Sequence, residues 1–402
     1  MSKIDNLIKE LCPDGVEFKR LGVICNKIKT GGQRNKSALS KTRSSENPYP
    51  VINGGISESG FTNEFNTPSN TITVSQGGAS SGFVNYMTEN FWAGAHCYVV
   101  LPSDESYLNN RYLYFILKNS QNLLMDRAVG AGIPGLNSRV LNEYKIPIPP
   151  LEVQKEIVRV LDSFTELEAE LEAELEARKK QYEYYRNTLL TFNERVKWLP
   201  LGEILKSLNT GLNPRHFFKL NTEDASNFYV TIKEIKGGSL CITSKTDRIN
   251  DEALELCNNR SNLEVGDVLF SGTGTIGETY EIRNEPYNWN IKEGVYSLKP
   301  DSSKVNSTFL SHILKTTSIK KCYANKAAGG TVKSVPMSEL KKISIPVPTL
   351  EEQRKITEIL DKFEKLTNDI SVGLPAEIEA RRKQYEYYRN KLLTFKELEC
   401  SR

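Results

Sequence analysis

Two stretches of the chain space their apolar residues alternately by three and four. In the first, Ile157, Leu161, Phe164, Leu171, Leu175, Tyr182, Tyr185, Leu189 and Phe192 form a coiled-coil seam with few gaps. Ile356, Leu360, Phe363, Ile370, Leu374, Ile378, Tyr385, Tyr388, Leu392 and Phe395 form the second. Thr349 and Glu352 have capping-box spacing at the start of the second, and Pro149-Pro150 blocks helix before the first. At ~1.5 Å per residue, a helix from Leu151 to Phe192 is on the order of 60 Å long and needs a partner of similar length. The other copy, packed antiparallel, is the simplest partner; two independent dimerisation helices are the alternative. Between these stretches the pattern changes to short β-rich runs, Val51-Ile52, Thr71 to Val74, Tyr98 to Leu101, Tyr229 to Ile232, Val268 to Phe270 and Val295 to Leu298. Leu108 to Leu117 and Thr308 to Leu314 read as helices.

The two seams belong to an internal repeat. Ile146 to Phe164 matches Ile345 to Phe363 at an offset of 199, and Glu176 to Phe192 matches Glu379 to Phe395, nearly identically, at 203. Weaker echoes extend outward. Leu21-Gly22 and Thr30-Gly31 match Leu201-Gly202 and Thr210-Gly211 at 180, and Ala128 to Ile133 resembles Ala327 to Val332 at 199. The order is therefore variable domain, helical segment, variable domain, helical segment, with boundaries at 1–146, 147–196, 197–345 and 346–402. The fold class this predicts is α+β: two mixed β/α domains joined by two long antiparallel coiled-coil helices in a pseudo-two-fold repeat. The copies differ in detail. The first contains TELE-AELE-AELE, Thr165 to Glu176, in units of about one helical turn, so one unit more or less changes the rod by ~6 Å and nearly preserves its inward face. The second has Gly373 and Pro375 instead, which should kink or restart the helix.

The length of 402 residues fits two or three domains, and 38% hydrophobic with 26% charged residues fits a folded chain. No apolar run is long enough to span a membrane, and the opening MSKIDNLIKELCPDG lacks the apolar core of a signal peptide, so a cytoplasmic protein is expected. Seven scattered cysteines without a CxxC pair suggest reduced thiols rather than a zinc site or disulfide framework. The net charge of +3 is unevenly distributed: +3 over residues 1–150, −4 over 151–196, +4 over 197–349 and 0 over 350–402.

Several motifs imitate catalytic chemistry. Phe270-Ser271-Gly272-Thr273-Gly274 fits the FxGxG loop of methyltransferases, but the β-branched, Gly-punctuated residues that follow read as a second strand, which makes this a Gly-rich hairpin. Asn47-Pro48-Tyr49-Pro50 departs from the amino-methyltransferase tetrapeptide and reads as a turn. Asp14, Glu17 and Lys19 are too close together for a metal-dependent nuclease site. His96, His216 and His312 have no acid or nucleophile beside them in sequence, and no P-loop Gly-Lys-Ser/Thr occurs. A binding protein is what remains, with no metal site and no catalytic residue.

Each variable domain supplies a loop of basic, amide and glycine residues. The first carries Lys27, Lys29, Thr30, Gly31, Gln33, Arg34 and Lys36; the second carries Lys206, Thr210, Arg215 and Lys219 at the matching place. Arg139 and Lys333 add cations near the domain ends, and Thr273 lies in the Gly-rich hairpin. Such loops can offer backbone N–H and cationic contacts to phosphates and side-chain forks to base edges. They also occur as plain solvated surface. The faces Tyr182, Tyr185, Arg186 and Tyr385, Tyr388, Arg389 suit either the helix seam or partner docking.

The combination IPxPxLExQ, helical seam and RKQYEYYRNxLLTF, all present twice, together with the opening LCPDGVEFKRLGVI, resembles the specificity subunit of type I restriction-modification enzymes over the whole chain. The resemblance implies a non-catalytic, DNA-binding subunit in which each target-recognition domain reads one half of a split site in double-stranded DNA. The helices set the spacer and dock two modification (methyltransferase) subunits, and restriction subunits complete the assembly. It implies no cofactor in this chain, with S-adenosylmethionine, ATP and magnesium on the partners. Two other readings compete: a self-contained DNA adenine methyltransferase built around Phe270 to Gly274, and a coiled-coil adaptor that binds no DNA.

Overall fold

The computed structural model describes residues 3–130, 132, 134–329, 333–368 and 372–398. They fall into two compact units, one formed by Met1–Ala169 with Ala380–Arg402 and the other by Glu170–Glu379.

The first unit opens with α1 (Lys3–Leu11), β1 (Glu17–Arg20), the short α2 (Leu21–Ile24) and β2 (Lys29–Thr30). Six strands follow: β3 (Tyr49–Ile52), β4 (Phe61–Thr62), β5 (Thr71–Ser75), β6 (Val84–Met87), β7 (Trp92–Ala93) and β8 (Cys97–Val100). Then come α3 (Asn110–Asn119), α4 (Gln121–Asp126), α5 (Ser138–Glu143), β9 (Lys145–Ile148) and the long α6 (Leu151–Leu189), whose residues to Ala169 belong here. The sheets are ordered β2-β8-β5-β6, β4-β3-β7 and β1-β9. β5, Thr-Ile-Thr-Val-Ser, is buried along its whole length, as a β-rich central strand should be.

In the second unit the rest of α6 is followed by β10 (Trp198–Pro200), α7 (Leu201–Ile204), β11 (Leu205–Thr210) and β12 (Asn227–Val230). Next are β13 (Ile235–Lys236), β14 (Ser239–Leu240), β15 (Arg248–Ile249), α8 (Asp251–Ser261), β16 (Val268–Ser271) and β17 (Thr279–Glu281). β18 (Trp289–Ile291), β19 (Val295–Pro300), α9 (Ser307–Leu314), α10 (Thr317–Asn325), α11 (Met337–Lys341) and β20 (Ser344–Pro346) lead to α12 (Leu350–Asn368) and α13 (Leu374–Leu392). The sheet orders β11-β19-β16-β17, β15-β12-β18 and β10-β20 repeat those of the first unit, and β13-β14 is an added hairpin.

The repeat can be followed atom by atom. Gln154, fully buried, accepts from the Asn109 backbone N–H at 2.8 Å and donates to the carbonyls of Tyr107 and Pro149. Gln353, also fully buried, accepts from Asn306 N–H at 2.8 Å and donates to Lys304 and Pro348. The glutamine of IPxPxLExQ thus pins the first turn of each helix to the N-terminus of α3 or α9. Gly31 and Gly211 hold a second equivalent position: a Cβ there would lie 1.9 Å from the Ala93 carbonyl oxygen and 2.0 Å from that of Ile291, so only glycine fits. Tyr98 and Tyr296 donate their hydroxyls to the carbonyls of Leu136 and Val335.

The helical segments pack as the apolar spacing predicts. In the first unit Val153, Ile157 and Leu161 share a core with Leu392 and Leu393. Phe164 stacks on Tyr388 with centroids 5.5 Å apart, and Arg382 bonds Glu168 at 2.6 Å. Partner numbers fall as α6 advances, so the two segments run antiparallel. In the second unit Tyr182 and Tyr185 stack on Phe363 of α12. The expected capping box forms, with Thr349 Oγ1 donating to Glu352. The helix also restarts where expected: α12 ends at Asn368 and α13 begins at Leu374, with Pro375 in a first turn that does not use its missing N–H. Phe270 to Gly274 closes a hairpin, since β16 pairs antiparallel with β17. Ile133, Val332, Ile370 and Cys400 of the sequence reading lie outside the described residues.

Candidate nucleic-acid interface

Each unit carries its loops on one shared framework, which fixes which positions correspond. Ser75 faces Cys97 across β5 and β8, and Ser271 faces Val295 across β16 and β19. The next residues mirror each other: Gly77 bridges Gly135, and Thr273 bridges Ser334. On the smaller sheets the N–H of Gly94 donates to the Ile52 carbonyl at 2.8 Å, and that of Lys292 donates to Val230 at 2.8 Å. Asn53 therefore corresponds to Thr231, Gly77 to Thr273 and Gly94 to Lys292.

These three position pairs line a cavity in each unit. The first, about 310 Å³, has walls from Asn53, Gly77, Gly94, Arg34 and Lys36 among others. The second, about 330 Å³, includes Thr231, Thr273, Lys292, Lys233 and Lys245 with Glu234, Asp247 and Glu293. The chemistry differs completely. In the first unit the cations of the wall, among the described residues, are Arg34 and Lys36, and Arg34 is held by Glu64 and lies 4.2 Å from the Trp92 ring centroid. In the second, three lysines alternate with three carboxylates.

The structure distributes the sequence-derived candidates unequally. Lys27, Lys29, Gln33 and Lys36 are exposed, Thr30 pairs with Tyr98 in β2, and Gly31 is locked against β7. Arg139 is exposed near the start of α5 and bonds Glu143 at 2.7 Å, which raises its already high proton affinity and lowers that of Glu143. Arg215, with a left-handed φ of 30°, and Lys219 are exposed in the loop after β11. Thr273 and Lys333 come together, since Gly274 N–H donates to the Lys333 carbonyl at 2.9 Å. Thr210, by contrast, is buried, and its hydroxyl donates to the Val295 carbonyl because it closes the β11-β19 pair, which takes it off the surface. Lys206 is separated from the others at the opposite end of β11, in a 430 Å³ cleft with the buried Lys299–Asp267 pair. Burial there outweighs the hydrogen bonds from Ser297 and Lys299 and raises the Asp267 carboxyl. Sequence reasoning missed Asn53, Thr231 and Lys292. They match no shared residue, so only the sheet registers could find them.

The helical candidates act in the seam. Tyr182 is 5% exposed, and its hydroxyl meets His312 Nδ1 at 3.1 Å. His312 Nε2 meets Asp361 at 3.0 Å, so this histidine has an acid partner 49 residues away, which inspection of its sequence neighbours could not reveal. Burial raises the Tyr182 hydroxyl well above its ordinary range. For Asp361 burial pushes upward, but the His312 hydrogen bond and the charges of His312, Arg283 and Lys365 together hold its carboxyl low. Tyr185 is 38% exposed beside Tyr184, and the Arg186 guanidinium lies 5.1 Å from the Tyr182 ring centroid. In the first unit Tyr385 and Tyr388 face Phe164, and Arg389 lies over Tyr385 at 5.4 Å. The Nε atoms of both Arg186 and Arg389 are buried without a hydrogen-bond partner among the described residues.

Comparison with known proteins settles the family. The profile of the type I restriction modification DNA specificity domain matches residues 13–177 and again 193–380. The chain belongs to this family. A Haemophilus influenzae chain named for a type I restriction enzyme specificity subunit is 34% identical over 405 residues, covering 94% of this chain and 96% of that one. The EcoR124I/EcoR124II specificity subunit of Escherichia coli is 35% identical over 262 residues, 63% of this chain and 64% of that one. The crystal structure of the type I S subunit from M. genitalium superposes with a TM-score of 0.60 at 20% identity, covering 94% and 96% of the two chains. The two profile matches correspond to the two copies of the specificity-subunit framework described above. No helix among the described residues is long and apolar enough to cross a membrane.

Proposed function

We propose that this chain is the non-catalytic DNA-reading subunit of a type I restriction-modification complex, in which each target-recognition domain, 1–146 and 197–345, reads one half of a bipartite site. The conserved helical regions, 147–196 and 346–402, set the spacer and dock two modification subunits. S-adenosylmethionine, ATP and magnesium belong to the partners, and the complex works in the cytoplasm. The observation that carries this reading is one framework, built twice to the same hydrogen bonds, beneath loops of unlike chemistry. A catalyst needs one constellation, whereas a reader of two different half-sites needs a common frame and two different surfaces. The exposed Lys27, Lys29, Gln33, Lys36, Arg139, Arg215, Lys219 and Lys333 supply phosphate and base contacts, with most of the affinity salt-dependent. The exposed Tyr184 and Tyr387, at matching places in the repeat and each beside a seam tyrosine, Tyr185 or Tyr388, supply docking faces.

Co-expression with the modification subunits followed by methylome sequencing tests the reading. A split methylated motif supports it, and an assembled complex that methylates no such motif overturns it. Deleting Ala169 to Glu172, one tetrapeptide unit, is expected to shorten the unspecified spacer and leave both half-sites unchanged. S-adenosylmethionine binding by the isolated chain would instead favour a self-contained methyltransferase.

A further inference from the structure

We infer that the three matched positions, Asn53/Thr231, Gly77/Thr273 and Gly94/Lys292, are the base-discriminating positions of the two units, an assignment that rests on the DNA-reading function proposed above. Three observations lead there. The positions are fixed by equivalent backbone bonds, so they occupy the same place in both units: Gly94 and Lys292 each donate at 2.8 Å to the strand before the loop, and Gly77 and Thr273 each bridge the returning loop. All three line a cavity of similar volume, about 310 and 330 Å³, in their own unit. Finally, they differ in a compensating way. A Cβ on Gly94 would lie 2.3 Å from Asn53 Oδ1, so the amide of Asn53 occupies space that the bare Gly94 leaves open. In the second unit Thr231 is shorter, and a lysine stands where glycine stood.

Bulk has moved from one wall of the cavity to the other while the frame has stayed fixed. The apolar interior does not dictate this, because Asn53 is exposed and Lys292 is half-buried without an ion pair among the described residues. The donor sets are suited to reading. Asn53 Oδ1 accepts from His96 N–H at 3.3 Å, which leaves its NH2 to donate, whereas Lys292 brings an ammonium to a cavity that Thr231 and Glu293 also line. An amide pairs best with adenine and an ammonium with guanine O6 and N7.

The test uses the full chain assembled with its modification subunits and a library of DNA duplexes randomised at both half-sites. Lys292→Gln is expected to lower discrimination at one base position of one half-site about tenfold and to leave the other half-site as it was. Lys292→Arg should retain most of it, and Asn53→Ala should alter only the opposite half. Two results would overturn the assignment. In one, the motif stays unchanged in complexes that still methylate. In the other, binding weakens uniformly over all sequences with a salt slope reduced by about one, the mark of a phosphate contact. If Lys292→Gln fails to assemble, Lys292→Arg and Asn53→Ala decide alone. A wild-type complex with no split motif would overturn the function itself, and this assignment with it.

Discussion

At one equivalent place the two units solve the same packing problem with opposite chemistry. Counting from the matched caps Asn109 and Asn306, Phe115 of α3 corresponds to His312 of α9, and Asp162 corresponds to Asp361. In the first unit Phe115 is fully buried, and Asp162 is taken by Arg111, whose guanidinium lies 4.6 to 4.9 Å from the centroids of Tyr86, Tyr114 and Phe115. In the second unit the ring is an imidazole that links Tyr182 to Asp361, with Arg283 4.0 Å from the same carboxylate. Both arrangements satisfy the aspartate and fill the space. The repeat thus keeps the hubs, Gln154 and Gln353, and leaves the residues around them free to change as a set.

That conclusion breaks most readily at the hubs. Gln154→Leu and Gln353→Leu each remove three hydrogen bonds and leave a half-buried N–H and two carbonyls without their partner, so each should cost about 3 kcal/mol in its own unit. Hydrogen exchange read by mass spectrometry under increasing urea reports the two units separately. Equal losses support the equivalence, and a silent substitution in either unit contradicts it.

Exchanging the unlike residues should have a smaller and unequal effect. His312→Phe leaves the Tyr182 hydroxyl buried without its partner, and is expected to cost about 1–3 kcal/mol in the second unit. Phe115→His places an imidazole in the apolar core of the first unit with its candidate acid already held by Arg111, and should cost at least as much. If both exchanges are neutral, the two sites are not coupled sets, and the same urea series would show it.

The units should also part company in acid. Glu156, nearly buried on α6, bonds Arg159 and Lys3, and chiefly the Arg159 hydrogen bond lowers its pKa from 4.5 to about 2. Its counterpart at offset 199 is Lys355, exposed and paired with Glu351 one turn away. A depressed carboxylate stabilises the fold above its unfolded value, and that contribution is lost as pH falls from about 4.5 toward 2. Glu156→Gln should therefore weaken the first unit at pH 7 and match the wild type near pH 2. A stability difference that is independent of pH would exclude this ion pair as the cause.

These contrasts bear on how far sequence could lead. Local pattern was legible: the seam, which recurs in the repeat, and the Thr349–Glu352 cap, the restart at Leu374 and the hairpin at Phe270 to Gly274, which belong to the second copy, all follow from local spacing and turn chemistry. The His312–Asp361 bond was not, because its partners are 49 residues apart and the first copy has phenylalanine at that place. Thr210 was misleading for a related reason. Its neighbours Gly211 and Lys206 suggest a loop, but it ends a strand and points into the sheet. The cavity positions 53, 231 and 292 share no residue type between copies, so sequence has nothing with which to match them.

The smallest effect on stability belongs to Arg139, and it separates a surface cation from a structural one. Its bond to Glu143 is an exposed pair four residues apart on a single helix turn, so solvent screens it and Arg139→Ala should leave stability almost unchanged. If the side chain touches a DNA phosphate, the same substitution reduces the slope of log affinity against log salt by about one and weakens all sequences alike. Measured on the assembled complex over a range of salt, an unchanged slope would leave Arg139 as a solvated partner of Glu143 and remove it from the interface. Because its Asn137 cap holds the helix start whatever residue follows, a changed slope could not be attributed to lost structure.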